Sequence, residues 1–218
     1  MSRILSKFAT AAALMVACAA PAQAGVIGYS WSPFDAPIAP GEVMVATFDA
    51  PLAAGYTMTW NSNAGIYQGA LVPGIAAPPQ NDTTKYLSVL TGGLATLTSP
   101  GTIKSLSFYW GSIDDYNTIT FKGANGFSQS YDGDDLNSPA NGNQQAASTN
   151  RRYYFTFDPN DQIDQVLFSS SGNSFEFDNI AVNDPPNNVP EPLTLALFAS
   201  GLAGISLLRR RRLQPAKA

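Results

Sequence analysis

Ser105-Leu106-Ser107-Phe108-Tyr109-Trp110 sets a large apolar residue at every second position. Leu106, Phe108 and Trp110 then share one face, with Ser105 and Ser107 on the other, which is the period of a strand buried on one side. The same alternation recurs along the chain. Ile119 and Phe121 stand against Thr118 and Thr120, and Tyr153, Phe155 and Phe157 form another stripe. Residues 42–48, 56–60, 85–90, 94–98, 162–169 and 175–182 read as further strands, separated by Gly, Pro, Asn and Asp clusters. Many short strands without a long helical period predict an all-β chain. Residues 25–183 then form a single β-sandwich or jelly-roll-like domain.

The last of these strands breaks the period. Phe175 and Phe177 are in phase, as are Ile180 and Val182, but the two pairs are out of phase with each other. A β-bulge near Asp178-Asn179 reconciles them and aims Asp178 or Asn179 outward at a loop end; a strand buried on both faces is the alternative. Three segments have no strand character: 69–82, rich in Pro and Ala; 133–150, rich in Asn, Gln and Ser; and a Pro/Asn linker at 184–188.

Both ends differ from this body. Arg3 and Lys7 give a basic start, residues 8–20 are almost wholly apolar, and Ala22-Gln23-Ala24 offers a small-x-small cleavage site. That order defines a secretory signal peptide over residues 1–24, removed by signal peptidase after Ala24. An alternative is lipidation at Cys18, which follows a small residue in Met15-Val16-Ala17-Cys18. At the other end, Val189-Pro190-Glu191-Pro192 precedes an uncharged apolar run at 193–208, and Arg209, Arg210, Arg211 and Arg212 follow. A helix over that run spans about 24 Å, slightly less than the hydrocarbon core. The arginines place its C-terminal end, with the tail 213–218, in the cytoplasm, and the signal peptide places the domain on the other side.

This terminus, residues 189–212, resembles the PEP-CTERM sorting signal, on the strength of Pro190-Glu191-Pro192, a Gly-containing apolar stretch and the arginine run. The resemblance implies processing by an exosortase, a membrane-embedded cysteine peptidase-transpeptidase, in a Gram-negative bacterium that makes exopolysaccharide. The short tail after Arg212 departs from members that stop at the arginines. An ordinary single-pass anchor is the alternative. Tyr86-Leu87-Ser88-Val89-Leu90, the run from Phe108 through Trp110 to Asn117, and Phe175-Glu176-Phe177-Asp178-Asn179-Ile180-Ala181-Val182 look like the body of a group of exosortase-dependent surface proteins. The Phe-Asp-Asn-Ile pattern also recurs in carbohydrate-binding jelly rolls. No catalytic set comes with that group.

Charge and composition narrow the function. Seven of the twelve basic residues and one of the sixteen acidic ones lie in the two ends, leaving 5 basic against 15 acidic over residues 25–188. An acidic domain is a poor partner for nucleic acid, whose affinity comes largely from neutralised phosphates. The chain has no His, and its one Cys is Cys18. Disulfides, thiol chemistry, His-dependent nucleophilic catalysis and Cys/His zinc sites are therefore excluded from the domain.

Oxygen ligands remain. Asp132-Gly133-Asp134-Asp135, with Asn137 and Asn141 nearby, is the leading calcium candidate, although no Glu stands at the twelfth position of an EF-hand loop. Asp114-Asp115 and Asp178 are lesser cation candidates. A solvated acidic turn is the plain alternative. A glycosidase needs two carboxyls across a cleft, and Glu42 and Glu176 are the only glutamates between the two ends. Trp31, Trp60, Trp110, Tyr109, Tyr116, Tyr153 and Tyr154 could stack on a sugar. Tyr109 and Tyr154, out of phase with their apolar stripes, are the two expected to be exposed and ligand-binding. The leading expectation is a non-enzymatic envelope or matrix protein associated with exopolysaccharide or biofilm. A surface carbohydrate-binding module comes second and a secreted hydrolase third.

Overall fold

The structure, a computed structural model, describes residues 26–184. The signal peptide, most of the linker, the sorting motif with its apolar run, and the tail lie outside the described residues. In chain order the strands are β1 (Val26–Pro33), β2 (Val43–Ala46), β3 (Thr57–Trp60), β4 (Ala64–Gln68), β5 (Lys85–Val89) and β6 (Gly93–Thr98). They continue with β7 (Ser105–Gly111), β8 (Asn117–Gly123), β9 (Ser128–Asp132), β10 (Arg151–Phe157), β11 (Ile163–Ser170) and β12 (Phe175–Asn183). One four-residue helix, α1 (Gly133–Leu136), follows β9.

Two antiparallel sheets form. The seven-stranded sheet runs β1-β10-β7-β12-β5-β4, with β2 also paired to β12; the five-stranded sheet runs β3-β6-β11-β8-β9. This is the expected all-β, sandwich-like architecture. The apolar phases meet between the sheets. Leu106, Phe108 and Trp110 of β7 are fully buried with Tyr153 and Phe155 of β10, Ile119 and Phe121 of β8, and Val166 and Phe168 of β11. Aromatic rings fill much of the space. Trp110 stacks on Phe175 at 4.4 Å and Phe168 on Phe177 at 4.0 Å between ring centroids. Rings of this size remove large apolar areas from water and add a geometric preference of their own.

The bulge in β12 is present. Its pairing with β7 shifts between Asp178 and Ala181, and Asn179 takes a φ of 53°, a left-handed conformation that Asn tolerates better than most residues. The strand is also buried on both faces, so both readings of its broken period hold. The expected outward aim fails for Asp178, which is wholly buried.

The reason is a further layer. The face of the seven-stranded sheet away from the apolar core is polar, yet covered. Ser107 and Tyr109 of β7, Arg152 of β10, Glu176 and Asp178 of β12, and Tyr86 and Ser88 of β5 are all at most 2% exposed. Two straps, residues 34–42 and 70–84, lie over them. Side chains of the sheet hold the straps by name. Arg152 meets Asp35 at 2.5 Å, Tyr154 Oη donates to the Pro37 carbonyl, and Tyr109 Oη donates to the Gln80 carbonyl. Glu176 accepts from the Ala77 amide. Glu42, at the end of the first strap, accepts from Ser107 Oγ at 2.6 Å and Ser105 Oγ at 2.9 Å. Buried polar groups are tolerable where they are hydrogen-bonded, and most of this layer is.

Candidate functional site

Three places carry chemistry. The first is a cleft of about 220 Å³ at one end of the sandwich. β7 ends at Gly111 and the turn into β8 brings Ser112, Asp114 and Tyr116 to one wall. β12 begins opposite with Glu176 on the floor, and Leu71, Val72 and Ile75 form an exposed apolar lip. Asp114 accepts from Tyr116 Oη at 2.6 Å, and burial raises its carboxyl above the ordinary range while that bond lowers it. Gly142 closes over Asp114 with a φ of 62°; a Cβ there would stand 2.3 Å from Asp114 Oδ1, so the position requires glycine.

Glu176 is almost fully buried, which pushes its carboxyl up to about 7. Hydrogen bonds from Ser174, from Ser112 Oγ at 2.7 Å and from the Ala77 amide at 3.0 Å pull in the other direction. Both of its oxygens are therefore occupied by the protein's own donors. Sequence spacing alone did not unite Asp114 and Glu176; the pairing of β12 with β7, Glu176 opposite Gly111, does.

The second place is a neighbouring cleft of about 410 Å³ under the edge of the 70–84 strap, lined by Asp35, Asp82, Thr84, Tyr109 and Asn179 among others. Asp178 lies beside it. Thr84 Oγ1 sits between two carboxylates, 2.5 Å from Asp82 Oδ1 and 3.3 Å from Asp178 Oδ2. Burial, and then the charges of Asp82 and Asp35, push the Asp178 carboxyl up to about 9, against hydrogen bonds from Asn179 and Thr84.

The third is the acidic loop. Asp132 Oδ1 accepts from the Asp135 amide at 2.8 Å, Asp135 Oδ2 from the Asp132 amide at 3.0 Å, and Asp134 Oδ1 from the Ala140 amide at 2.7 Å. The first two make a reciprocal capping box for α1. All three carboxylates thus hold their own backbone, and Asp178 belongs to a different layer. Asp114 faces the first cleft while Asp115 is exposed. Among the described residues, no three His, Cys, Asp or Glu side chains gather as a metal-holding group.

The expected sugar platform needs correction. Tyr109 is 1% exposed, because its out-of-phase position faces the strap layer rather than water. Tyr154 is half-buried with its hydroxyl on Pro37. Trp110 and Tyr153 are core residues. The large exposed aromatics are Tyr29, Trp31 and Trp60, at 46%, 47% and 42%. Tyr29 and Trp31 pair with Phe155 and Tyr153 on the core-facing phase of the edge strand β1, where the opposite sheet covers them only partly. The Arg151 guanidinium lies 3.6 Å over the Trp31 ring. The alternation Tyr29-Ser30-Trp31-Ser32 is the signal in the sequence that marks this strand.

Residues 188–212 match the family model described as the PEP-CTERM protein-sorting motif. No curated protein matches the chain in sequence. Among solved structures, the chain is similar to the family 11 carbohydrate-binding module of Clostridium thermocellum in complex with a β-1,3-1,4-mixed-linked tetrasaccharide. The identity is 14%, over 66% of this chain and 96% of that one, with a TM-score of 0.31. It is also similar to the enzymatically active domain of tailspike protein 4 of bacteriophage CBA120, at 15% identity over 64% of this chain and 20% of that one, with a TM-score of 0.33. At these TM-scores the likeness carries no argument about what this chain binds or does.

Proposed function

We propose that this chain is a non-enzymatic protein of the bacterial envelope or extracellular matrix. Signal peptidase releases it from its leader, its apolar C-terminal run holds it in the inner membrane, and an exosortase then processes it for the outer surface. Its β-sandwich contributes to the exopolysaccharide or biofilm layer. The observation that carries this reading is the sorting motif at residues 188–212, which implies export to the envelope through an exosortase. The absence of His from the chain, and of Cys from residues 25–188, agrees with a structural role. So does Glu176, whose oxygens are taken up by the fold. The test replaces Glu191 with Ala and follows the size and location of the protein. Unprocessed protein retained in the inner membrane is expected; unchanged processing and surface delivery refute the proposal.

A second reading rests on the first cleft. An apolar lip of Leu71, Val72 and Ile75 beside hydroxyl, amide and carboxyl groups complements a sugar ring, which presents C–H faces and a hydroxyl edge. Pull-down on the host's own exopolysaccharide separates the readings. Saturable binding weakened by Ile75→Asp supports the second; no saturable binding ends it and leaves the first standing.

A further inference from the structure

The polar layer between the seven-stranded sheet and its straps leaves five buried side-chain atoms without a hydrogen-bond partner: Asp178 Oδ1, Asp82 Oδ2, Tyr86 Oη, Ser88 Oγ and Arg152 Nε. Two of them are carboxyl oxygens that belong to one small group. Thr84 Oγ1 links the two carboxylates from their other oxygens. Tyr86 lies on β5 beside Leu87, which pairs with Phe177, and its hydroxyl feels the charge of Asp82. Two carboxyl groups are thus linked through one hydroxyl, each with a second oxygen that is buried and lacks a hydrogen-bond partner.

A buried carboxyl oxygen left without a partner is costly, and buried charges are paired or coordinate metals. Arg152, the only buried basic side chain among the described residues, does not relieve them. Its guanidinium is turned to Asp35, Ser107 Oγ and the Asn179 carbonyl. What the place lacks is a positive charge that accepts oxygen ligands. The adjacent cleft of about 410 Å³ gives it access to solvent.

We propose that Asp82 and Asp178 hold a calcium-type divalent cation between β12 and the 70–84 strap, with neutral oxygens and water completing its shell. The donor set is all oxygen, and calcium takes six to eight such ligands in flexible geometry, whereas magnesium demands a near-ideal octahedron. Two carboxylates make a weak site, of the order of the 10⁻⁴–10⁻³ M seen in extracellular modules. The ion would tie the strap to the central strand of the sheet. The acidic loop around Asp132 plays no part.

The test uses the full chain in detergent, stripped with chelator and desalted. Calcium at about 10 mM is expected to raise Tm by about 3 to 10 °C, and magnesium by much less. Asp178→Asn and Asp82→Asn are near-isosteric, and each is expected to unfold cooperatively while losing the calcium response. Terbium supplies a second readout, since Tyr109 lines the same cleft as Asp82 and can sensitise its emission; calcium should compete that signal away, and both variants should lack it. A Tm indifferent to calcium in the wild type overturns the proposal and leaves a shared carboxyl proton as the relief of the pair. A shift that persists in both variants overturns it equally. Should Asp178→Asn fail to fold, Asp82→Asn, on the half-buried strap, decides alone.

Discussion

Glu176→Gln isolates one buried carboxyl on the floor of the cleft. Burial raises this group from an ordinary 4.5 to about 7. The native state therefore keeps a proton across a range where the unfolded chain has released it. Stability is highest below about pH 4.5, falls as pH rises toward 7, and then levels. Between pH 5 and pH 8 the expected loss from this one group is about 2.5 kcal/mol. Glutamine cannot ionise and fits the same contacts. Its carbonyl can keep the Ala77 amide and Ser174 hydroxyl, and its NH₂ can donate to Ser112 once that hydroxyl rotates. Asp178 bends the wild-type curve in the same direction, so the comparison is between variant and wild type at each pH. The assay is urea unfolding followed by tryptophan fluorescence at pH 5 and pH 8. The variant should gain on the wild type by about 2.5 kcal/mol from the lower pH to the higher. A gap that does not widen with pH refutes the assignment of a neutral, structural carboxyl to the cleft floor.

Further outcomes follow from single contacts. Gly142→Ala should destabilise by about 2 kcal/mol or more in thermal unfolding, because it forces a left-handed alanine and pushes a methyl group into Asp114. Asp132→Ala removes the N-cap of α1 and should cost about 1 kcal/mol by the same measurement, whether or not calcium is present. Phe108→Ala opens the centre of the aromatic core and should cost about 3 to 5 kcal/mol in urea unfolding. Tyr109→Phe should cost about 1 kcal/mol, the Gln80 hydrogen bond, and leave any polysaccharide retention on affinity gels unchanged.

The apolar half of the fold was legible because the period of 2 is strict wherever one face meets the core. Leu106 to Trp110, Ile119 to Phe121 and Tyr153 to Phe157 all fall on strands with the expected face inward. Even the broken phase of β12 located its bulge. Three strands escaped: β1, β4 and β9. β1 alternates aromatics with serines but opens on Val26-Ile27-Gly28, directly after the leader, and β4 and β9 hold few large apolar residues. The polar layer was not legible. Alternation says that Tyr109 and Asp178 point away from the apolar core, but not that a second cover waits there. The straps are irregular segments rich in Pro and Ala or Asp, and nothing local in such a segment names the sheet it will lie on. For the same reason Asp114 and Glu176 could not be joined in advance, since their meeting depends on a strand pair 65 residues apart in register, Gly111 with Glu176.

The sealed face also limits where this domain can meet another molecule. A ligand laid across the seven-stranded sheet would have to lift straps fastened at Asp35, Pro37, Ala77 and Gln80, and would expose Arg152, Glu176 and Asp178 together. Three of these fastenings are buried or half-buried hydrogen bonds, the Tyr154–Pro37 bond being exposed, and breaking a buried one while leaving its partner unpaired costs about 1 to 3 kcal/mol. Three such losses exceed what a weak polymer contact returns. On the carbohydrate-binding reading, recognition falls to places that need no opening, such as the cleft at Asp114 and the partly covered rim at Tyr29 and Trp31. These lie on different parts of the sheet, the cleft where β7 and β12 meet their loops and the rim on the edge strand β1. A long exopolysaccharide could touch both along one chain, whereas a single sugar could fill only the cleft. That reading predicts binding that strengthens with chain length and weakens in both Trp31→Ala and Ile75→Asp on a matrix-association assay. Equal affinity for a monosaccharide and the polymer would show that the rim takes no part.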